Sequence, residues 1–326
     1  MSTRQKVRNW SVYNKSLIKR GGIIFNFNQN YLSHLYYTAK QVRGGAKQYS
    51  EQMYEYLLTI KVLFRLPWRG TIGFAEGLLK KAFPNDVIRL PDFAHASRSC
   101  GRLDLKIRQM LPLVNAEGME LAFDSTGISV YTTSGYHQRK HGKNSLYRKK
   151  EQWKKIHVAM DLNSMQVISA HYSDSNVNDC EAVSIMSQCV NGKVASVRAD
   201  GAYDTEVFRK IITDWGGVAI IPPASTSKSQ DELQKKPKYK KYYLEERDKA
   251  IKMIRESGSF KEGLKQWKVQ SGYHKRSLIE AFMFRLKRTF GFYLHNKTTE
   301  GRINEIITKM NILNLMASFG RAEYST

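Results

Sequence analysis

The sequence predicts an α/β protein: a mixed five-stranded sheet flanked by helices, preceded by an all-α, helix-turn-helix-like region. Three observations predict it. Apolar residues recur at steps of three and four from Tyr49 onward. From Met119 the apolar pattern shortens to that of strands. The strand candidates then run three in a row, followed by helix, strand, helix, strand, which is an antiparallel meander joined to βαβ crossovers.

Residues 1–30 read as a basic, partly extended arm. Arg4, Lys6, Arg8, Lys15, Lys19 and Arg20 have no acidic residue among them, and Gly21-Gly22 breaks the chain before Ile23. Residues 31–115 form the helical DNA-binding domain. Tyr49, Met53, Tyr56, Leu57, Ile60, Leu63 and Phe64 mark its first helix, which Pro67 stops. Thr71 is read as the N-cap of a second helix carrying Phe74, Leu78, Leu79 and Phe83. Pro84-Asn85-Asp86 is a turn, and Pro91 opens a third helix running to about Met110. Arg69, Arg98, Arg102, Lys106 and Arg108 give this three-helix unit its DNA-binding character.

Leu121 to Asp124, continuing into Ile128 to Thr132, is the first strand. Ile156 to Met160 and Val167 to Ala170 are the next two, with Asp161 to Ser164 as the turn between them. Asp174 to Asn178 caps a helix over Ala182, Ile185, Met186 and Val190. Ser196 to Asp200 is a fourth strand, Val207 to Trp215 a helix, and Val218 to Ile221 a fifth strand ended by Pro222-Pro223. A Lys-rich insertion at 224–268 interrupts this order, and Leu278, Phe282 and Leu286 resume it. The second domain is therefore 116–223 together with 269–326.

The charge narrows the function. Of 326 residues, 53 are Lys or Arg and 29 Asp or Glu, so 53 − 29 gives +24, with a pI near 9.8. Such a field favours a polyanion, and nucleic acid leads the candidates over a membrane surface, for which no long amphipathic helix with a purely basic polar face is seen. A hydrophobic content of 41% excludes a wholly disordered chain. No apolar run reaches the roughly 20 residues of a membrane span, and the polar N-terminus is no secretory signal. Cys100, Cys180 and Cys189 form no CxxC pair, which points to a reducing, cytoplasmic setting.

Three acidic residues stand out. Asp124 and Asp200 each end an apolar strand, and Glu280 lies in an otherwise basic helix. Carboxylates leaving buried strands need pairing or a metal. Oxygen donors suit Mg²⁺ or Mn²⁺, and two such ions can activate an attacking oxygen and stabilise a leaving one. His137 and His141 have no HExxH or Cys/His cluster around them and are left as surface or phosphate contacts. Around Glu280, Tyr273, Arg276, Glu280 and Lys287 are spaced to share one helix face, with Leu278, Ile279, Phe282 and Leu286 on another. Asp204 is set aside as a helix N-cap.

The spacing Tyr273-x2-Arg276-x3-Glu280-x6-Lys287 resembles the signature of bacterial insertion-sequence transposases with a DDE triad, of the insertion-sequence-five type. Phe123-Asp124-Ser125-Thr126 and Ala199-Asp200-Gly201-Ala202-Tyr203 look like the first two acidic motifs of that family. Arg8 to Asn14 and Leu66 to Thr71 resemble its N-terminal features. The resemblance implies a ribonuclease-H-like catalytic core. It implies that Asp124, Asp200 and Glu280 hold two Mg²⁺ or Mn²⁺ ions, that Arg276 and Lys287 bind DNA beside them, and that Tyr273 contacts a base or sugar. The implied reaction nicks transposon ends by hydrolysis and joins the freed 3′-hydroxyl to target DNA. Cutting paired ends implies a homodimer on DNA, in a bacterial cytoplasm at the nucleoid, with no membrane role. Arg139, Lys140, Lys143, Arg148, Lys149, Lys150, Lys154 and Lys155 link the first two strands and are expected to grip transposon-end DNA. The rival readings are a catalytically silent DNA-binding relative and a structure-specific nuclease on the same core.

Overall fold

The computed structural model describes residues 7–25, 30–37, 48–112, 117–130, 153–233 and 241–323. The chain divides into two compact units, residues 1–108 with 289–326 and residues 109–288.

In the first unit, the expected extended arm contains a helix, α1 (Trp10–Arg20). Sequence periodicity misses it because polar contacts anchor it. Asn9 Nδ2 donates to the Arg321 carbonyl (2.9 Å), the Arg8 amide to the Glu323 carbonyl (2.7 Å), and buried Ser16 to Tyr13 (2.7 Å). A short α2 (Tyr31–Leu35) precedes α3 (Glu51–Phe64), where the Ser50 hydroxyl accepts from the Met53 amide. The second predicted helix, α4 (Trp68–Ala82), starts earlier than expected. Pro67 takes the N-cap position. Thr71 is buried inside the helix and donates to the Pro67 carbonyl (3.1 Å), so it is not the cap. The third, α5 (Phe93–Gly101), starts where the Asp92 carboxylate captures the Ala94 and His95 amides, and it ends well before the predicted Met110. Met53, Leu57, Ile60, Ala75, Leu79 and Ala96 form this unit's core.

The second unit is built on a five-stranded sheet: β1 (Met119–Ser129), β2 (Trp153–Asp161), β3 (Gln166–Asp174), β4 (Val194–Arg198) and β5 (Val218–Ile220). Its order is β3-β2-β1-β4-β5. β1, β2 and β3 are antiparallel; β4 and β5 join in parallel. That is the predicted meander followed by crossovers. The crossover helices are α6 (Asp179–Met186), capped by Asn178, and α7 (Glu206–Asp214). Side chains alternate across a strand. Leu121 and Phe123 share a core with Ala182, Val183 and Met186 of α6 and Phe208 and Ile212 of α7. Glu120 and Asp124 therefore face the other way.

The described residues of the insertion region include a helical hairpin, α8 (Glu245–Glu256) and α9 (Phe260–Gln270). Its sequence looks charged on nearly every face, yet Ala250, Ile254 and Trp267 bury a narrow stripe together with Ile220 of β5. Gly263 makes the crossing possible: a Cβ there would lie 2.0 Å from the Ile254 carbonyl oxygen. α10 (Ser277–Phe290) follows. The last helix, α11 (Thr299–Ser318), packs within the first unit. There its buried Glu305 accepts from the His295 and Asn296 amides (2.9 and 3.0 Å) and pairs with Lys309 (2.9 Å). Among the described residues no helix is long and apolar enough to cross a membrane.

Candidate active site

β1 and β4 are parallel neighbours, with Ala122 opposite Arg198. Asp124 lies two residues beyond Ala122 and Asp200 two beyond Arg198. The register therefore brings both carboxylates to the same end and the same face of the sheet. Asp124 remains within β1, its Oδ1 accepting from the Ser125 amide (2.9 Å). Asp200 stands just past β4, where its Oδ1 accepts from Ala202 N–H (2.9 Å) and opens a 3₁₀ turn.

The third carboxylate arrives from sequence far downstream. Tyr273–Arg276 form a 3₁₀ turn, and α10 begins at Ser277, so the predicted single helix holds only the second half of the four-residue stripe. Ile279, Phe282 and Leu286 are buried, as their spacing predicted, but Leu278, expected on the same face, is exposed. The remaining face carries Arg276 and Glu280, which pair at i, i+4.

One guanidinium gathers all three acids. Arg276 Nη2 lies 3.4 Å from Asp124 Oδ1 and 3.9 Å from Asp200 Oδ2, while Nη1 bonds Glu280 Oε1. Arg276 is 14% exposed and Asp124 15%, whereas Asp200 and Glu280 are 41% and 53% exposed. Burial pushes the Asp124 carboxyl above its ordinary range. Arg276 and the Ser125 amide oppose that rise, and the Asp200 and Glu280 charges add to it. Burial also raises the Tyr273 hydroxyl, and Arg276 pulls it back. The Arg276 guanidinium is held above its usual value: burial lowers it, but Tyr273 and the three acids outweigh that. Tyr273 leans on Trp267 of α9 (ring centroids 5.9 Å apart), with Lys268 Nζ 5.2 Å from its ring centre. Lys287, also predicted here, lies further along α10, its ammonium lowered by burial.

A cation already sits among three carboxylates, so the donor set has the oxygen chemistry that hard divalent ions require. Among the described residues no group of three His, Cys, Asp or Glu is spaced to hold an ion as it stands.

Of the basic residues expected to grip DNA between the first two strands, Arg139, Lys140, Lys143, Arg148, Lys149 and Lys150 lie outside the described residues, as do His137 and His141. Lys154 and Lys155 lie on β2 and are already engaged: Lys154 with Asp174 (2.5 Å), Lys155 with Asp179 (3.2 Å) and the Val177 carbonyl (3.0 Å). Asp204 is not a helix cap. Thr205 caps α7, and Asp204 pairs with Arg209 (2.7 Å) and Arg247 (3.1 Å). Sequence reading missed a further group behind the acids: Glu120, Arg198 and Lys275. The available signal was period two, since Glu120 precedes Asp124 by four residues and Arg198 precedes Asp200 by two.

A mixed sheet with acidic side chains gathered at its strand ends, in a chain of net charge +24, is the make-up of a protein that handles a polyanion. A family model described as "Transposase DDE domain" matches residues 116–315, and a second with the same description matches residues 18–133. The chain belongs to the DDE transposases. Similar solved structures include the cryo-EM structure of a piggyBac transposase synaptic complex with hairpin DNA. It shares 10% identity over 97% of this chain and 78% of that one, with a TM-score of 0.42. The Drosophila P element transposase strand transfer complex shares 11% identity over 93% and 86%, with a TM-score of 0.31. At TM-scores this low, neither carries more than the likeness itself.

Proposed function

We propose that Asp124, Asp200 and Glu280 are the catalytic acids of this transposase, on a ribonuclease-H-like core of the insertion-sequence-five type. The observation that carries this reading is their convergence on Arg276 from three separate elements. The three carboxylates would hold two Mg²⁺ or Mn²⁺ ions, whose chemistry is to activate the attacking oxygen and stabilise the leaving one. The chain's own residues bind and orient the DNA. Arg276 exchanges its carboxylate partners for a backbone phosphate, which a planar guanidinium accepts through paired hydrogen bonds. Lys287 adds a second positive charge along α10, and Tyr273, propped by Trp267, offers its hydroxyl to the sugar or base.

The reaction is hydrolytic nicking at terminal inverted repeats, followed by attack of the 3′-hydroxyl on target DNA. The 31–115 helices and the basic segment around 139–155 bind the transposon ends, and a homodimer brings two ends together. Incubating the protein with Mn²⁺ and a labelled duplex bearing the inverted repeats that bracket the gene tests this. Nicked and joined products are expected. Nicking without joining would replace the reading with a structure-specific nuclease, and binding alone would replace it with a silent DNA-binding relative.

A further inference from the structure

Behind the three acids stands a second charged group that ties their supporting elements together. Glu120 lies on β1, on the same face as Asp124, and is 19% exposed. Arg198 ends β4, two residues before Asp200, and is 6% exposed. Arg198 Nη1 donates to Glu120 Oε2 (2.9 Å) and to the Ser196 hydroxyl (2.9 Å), and its Nε donates to the Gly272 carbonyl (3.1 Å). Lys275 Nζ, from the 3₁₀ turn, donates to both Glu120 oxygens (3.0 and 2.9 Å). Burial alone would raise the Glu120 carboxyl. The Lys275 bond and the Arg198 charge outweigh it and hold the carboxyl below its usual range.

The connectivity matters more than any single bond. Asp124 and Asp200 are set relative to each other by the β1–β4 register. Glu280 has no such register, because it sits on a helix reached through the turn at 272–276. Among the described residues, Arg198 and Glu120 make the polar contacts that join that turn to the sheet, besides the pairing of Arg276 itself.

We propose that Glu120, with Arg198 and Lys275, is a positioning clamp that fixes the 272–276 turn, and through it Arg276 and Glu280, against Asp124 and Asp200. The clamp rests on the reading that these three acids are the site. Groups that orient ligand side chains typically alter metal affinity by about 10- to 100-fold when removed.

The test measures Mn²⁺ binding to the full chain, by the electron paramagnetic resonance signal of free Mn²⁺, alongside amide exchange. Glu120→Gln keeps the side-chain shape and removes the charge. It should weaken Mn²⁺ binding about 10- to 100-fold and speed exchange at 273–277, while β1 and β4 stay protected. Lys275→Met, at a half-exposed position, should act in the same direction with less effect. The double variant should be no worse than Glu120→Gln, because one interaction is lost in each. Asp124→Ala is the control. If it abolishes Mn²⁺ binding while Glu120→Gln and Lys275→Met leave affinity and exchange unchanged, the clamp is wrong and the site stands. If Mn²⁺ binds Asp124→Ala as it binds the unaltered chain, the site reading fails and the clamp with it.

Discussion

Two ion clusters in the second unit use the same functional groups in opposite proportions. Around Arg276, three carboxylates share one guanidinium, a formal 1 − 3 = −2, and two of the acids are 41% and 53% exposed. Around Asp204, one carboxylate takes two guanidiniums, Arg209 and Arg247, a formal 2 − 1 = +1, with Asp204 7% and Arg209 1% exposed. Arg209 Nη2 also donates to the Ile221 carbonyl (3.0 Å), and Arg247 to the Lys228 carbonyl (2.9 Å) and the Ser227 hydroxyl (2.9 Å). Asp204 is saturated and enclosed, as a structural ion pair must be to offset its desolvation. The cluster around Arg276 is under-neutralised, and Asp200 and Glu280 are open to water, which leaves it able to take further positive charge. A strand-end aspartate is thus assigned by what neutralises it. Asp204, only four residues after Asp200, falls on the structural side.

Asp124→Asn should reduce nicking to background while end binding persists, because it removes an acid from the open cluster. Unfolding in urea should be unchanged or slightly shifted toward greater stability, since burial disfavours the Asp124 charge. Asp204→Asn should do the reverse. Leaving two guanidiniums short of their carboxylate costs about 3–5 kcal/mol of stability in urea, with nicking retained in the fraction that stays folded.

A buried neutral group sharpens the structural side. His157 on β2 is 1% exposed, bonded to Ser173 (2.8 Å) and 3.4 Å from Asp179, and faces Lys155 and His171. Burial lowers its imidazole from 6.5 to about 4. The unfolded chain therefore takes the proton first. Stability is full above pH 6.5 and declines as pH falls toward 4, by about 3 kcal/mol at about 1.4 kcal/mol per pH unit. Urea unfolding from pH 7 to 4 reads this, and His157→Asn should flatten the slope in that window. The smallest effect is in the insertion hairpin. Gly263→Ala forces α8 and α9 apart at Ile254 and should cost about 1–3 kcal/mol, seen as faster amide exchange across 245–270.

The succession of strands and helices along the chain and both strand-end acids were legible because strand periodicity and strand ends are local properties. Phe123 faces the α6 and α7 core, so Asp124 must face away. That Arg276 and Glu280 share a face was legible from their spacing of four, although Arg276 stands in the 3₁₀ turn before α10. What escaped reading depended on contacts distant in sequence. α1 is held by the backbone of residues 320–323, Thr71 lies inside a helix that Pro67 starts, and the share of the hairpin's apolar stripe on α8 is only Ala250, Ile251 and Ile254 among charges. The roles of Glu120 and Asp204 were hidden for the same reason: the residues that neutralise them lie up to 155 positions away.

The account's central claim is that Asp124, Asp200 and Glu280 act as one site. The direct measurement is the nicking rate of each single substitution to Ala, the three pairs and the triple, at saturating Mn²⁺ on the inverted-repeat duplex. Groups acting as a unit give grossly non-additive losses. Each single variant should already fall to background, with the triple no lower and end binding intact throughout. Cleavage surviving in any single variant, or losses that simply accumulate from one to three substitutions, would contradict it.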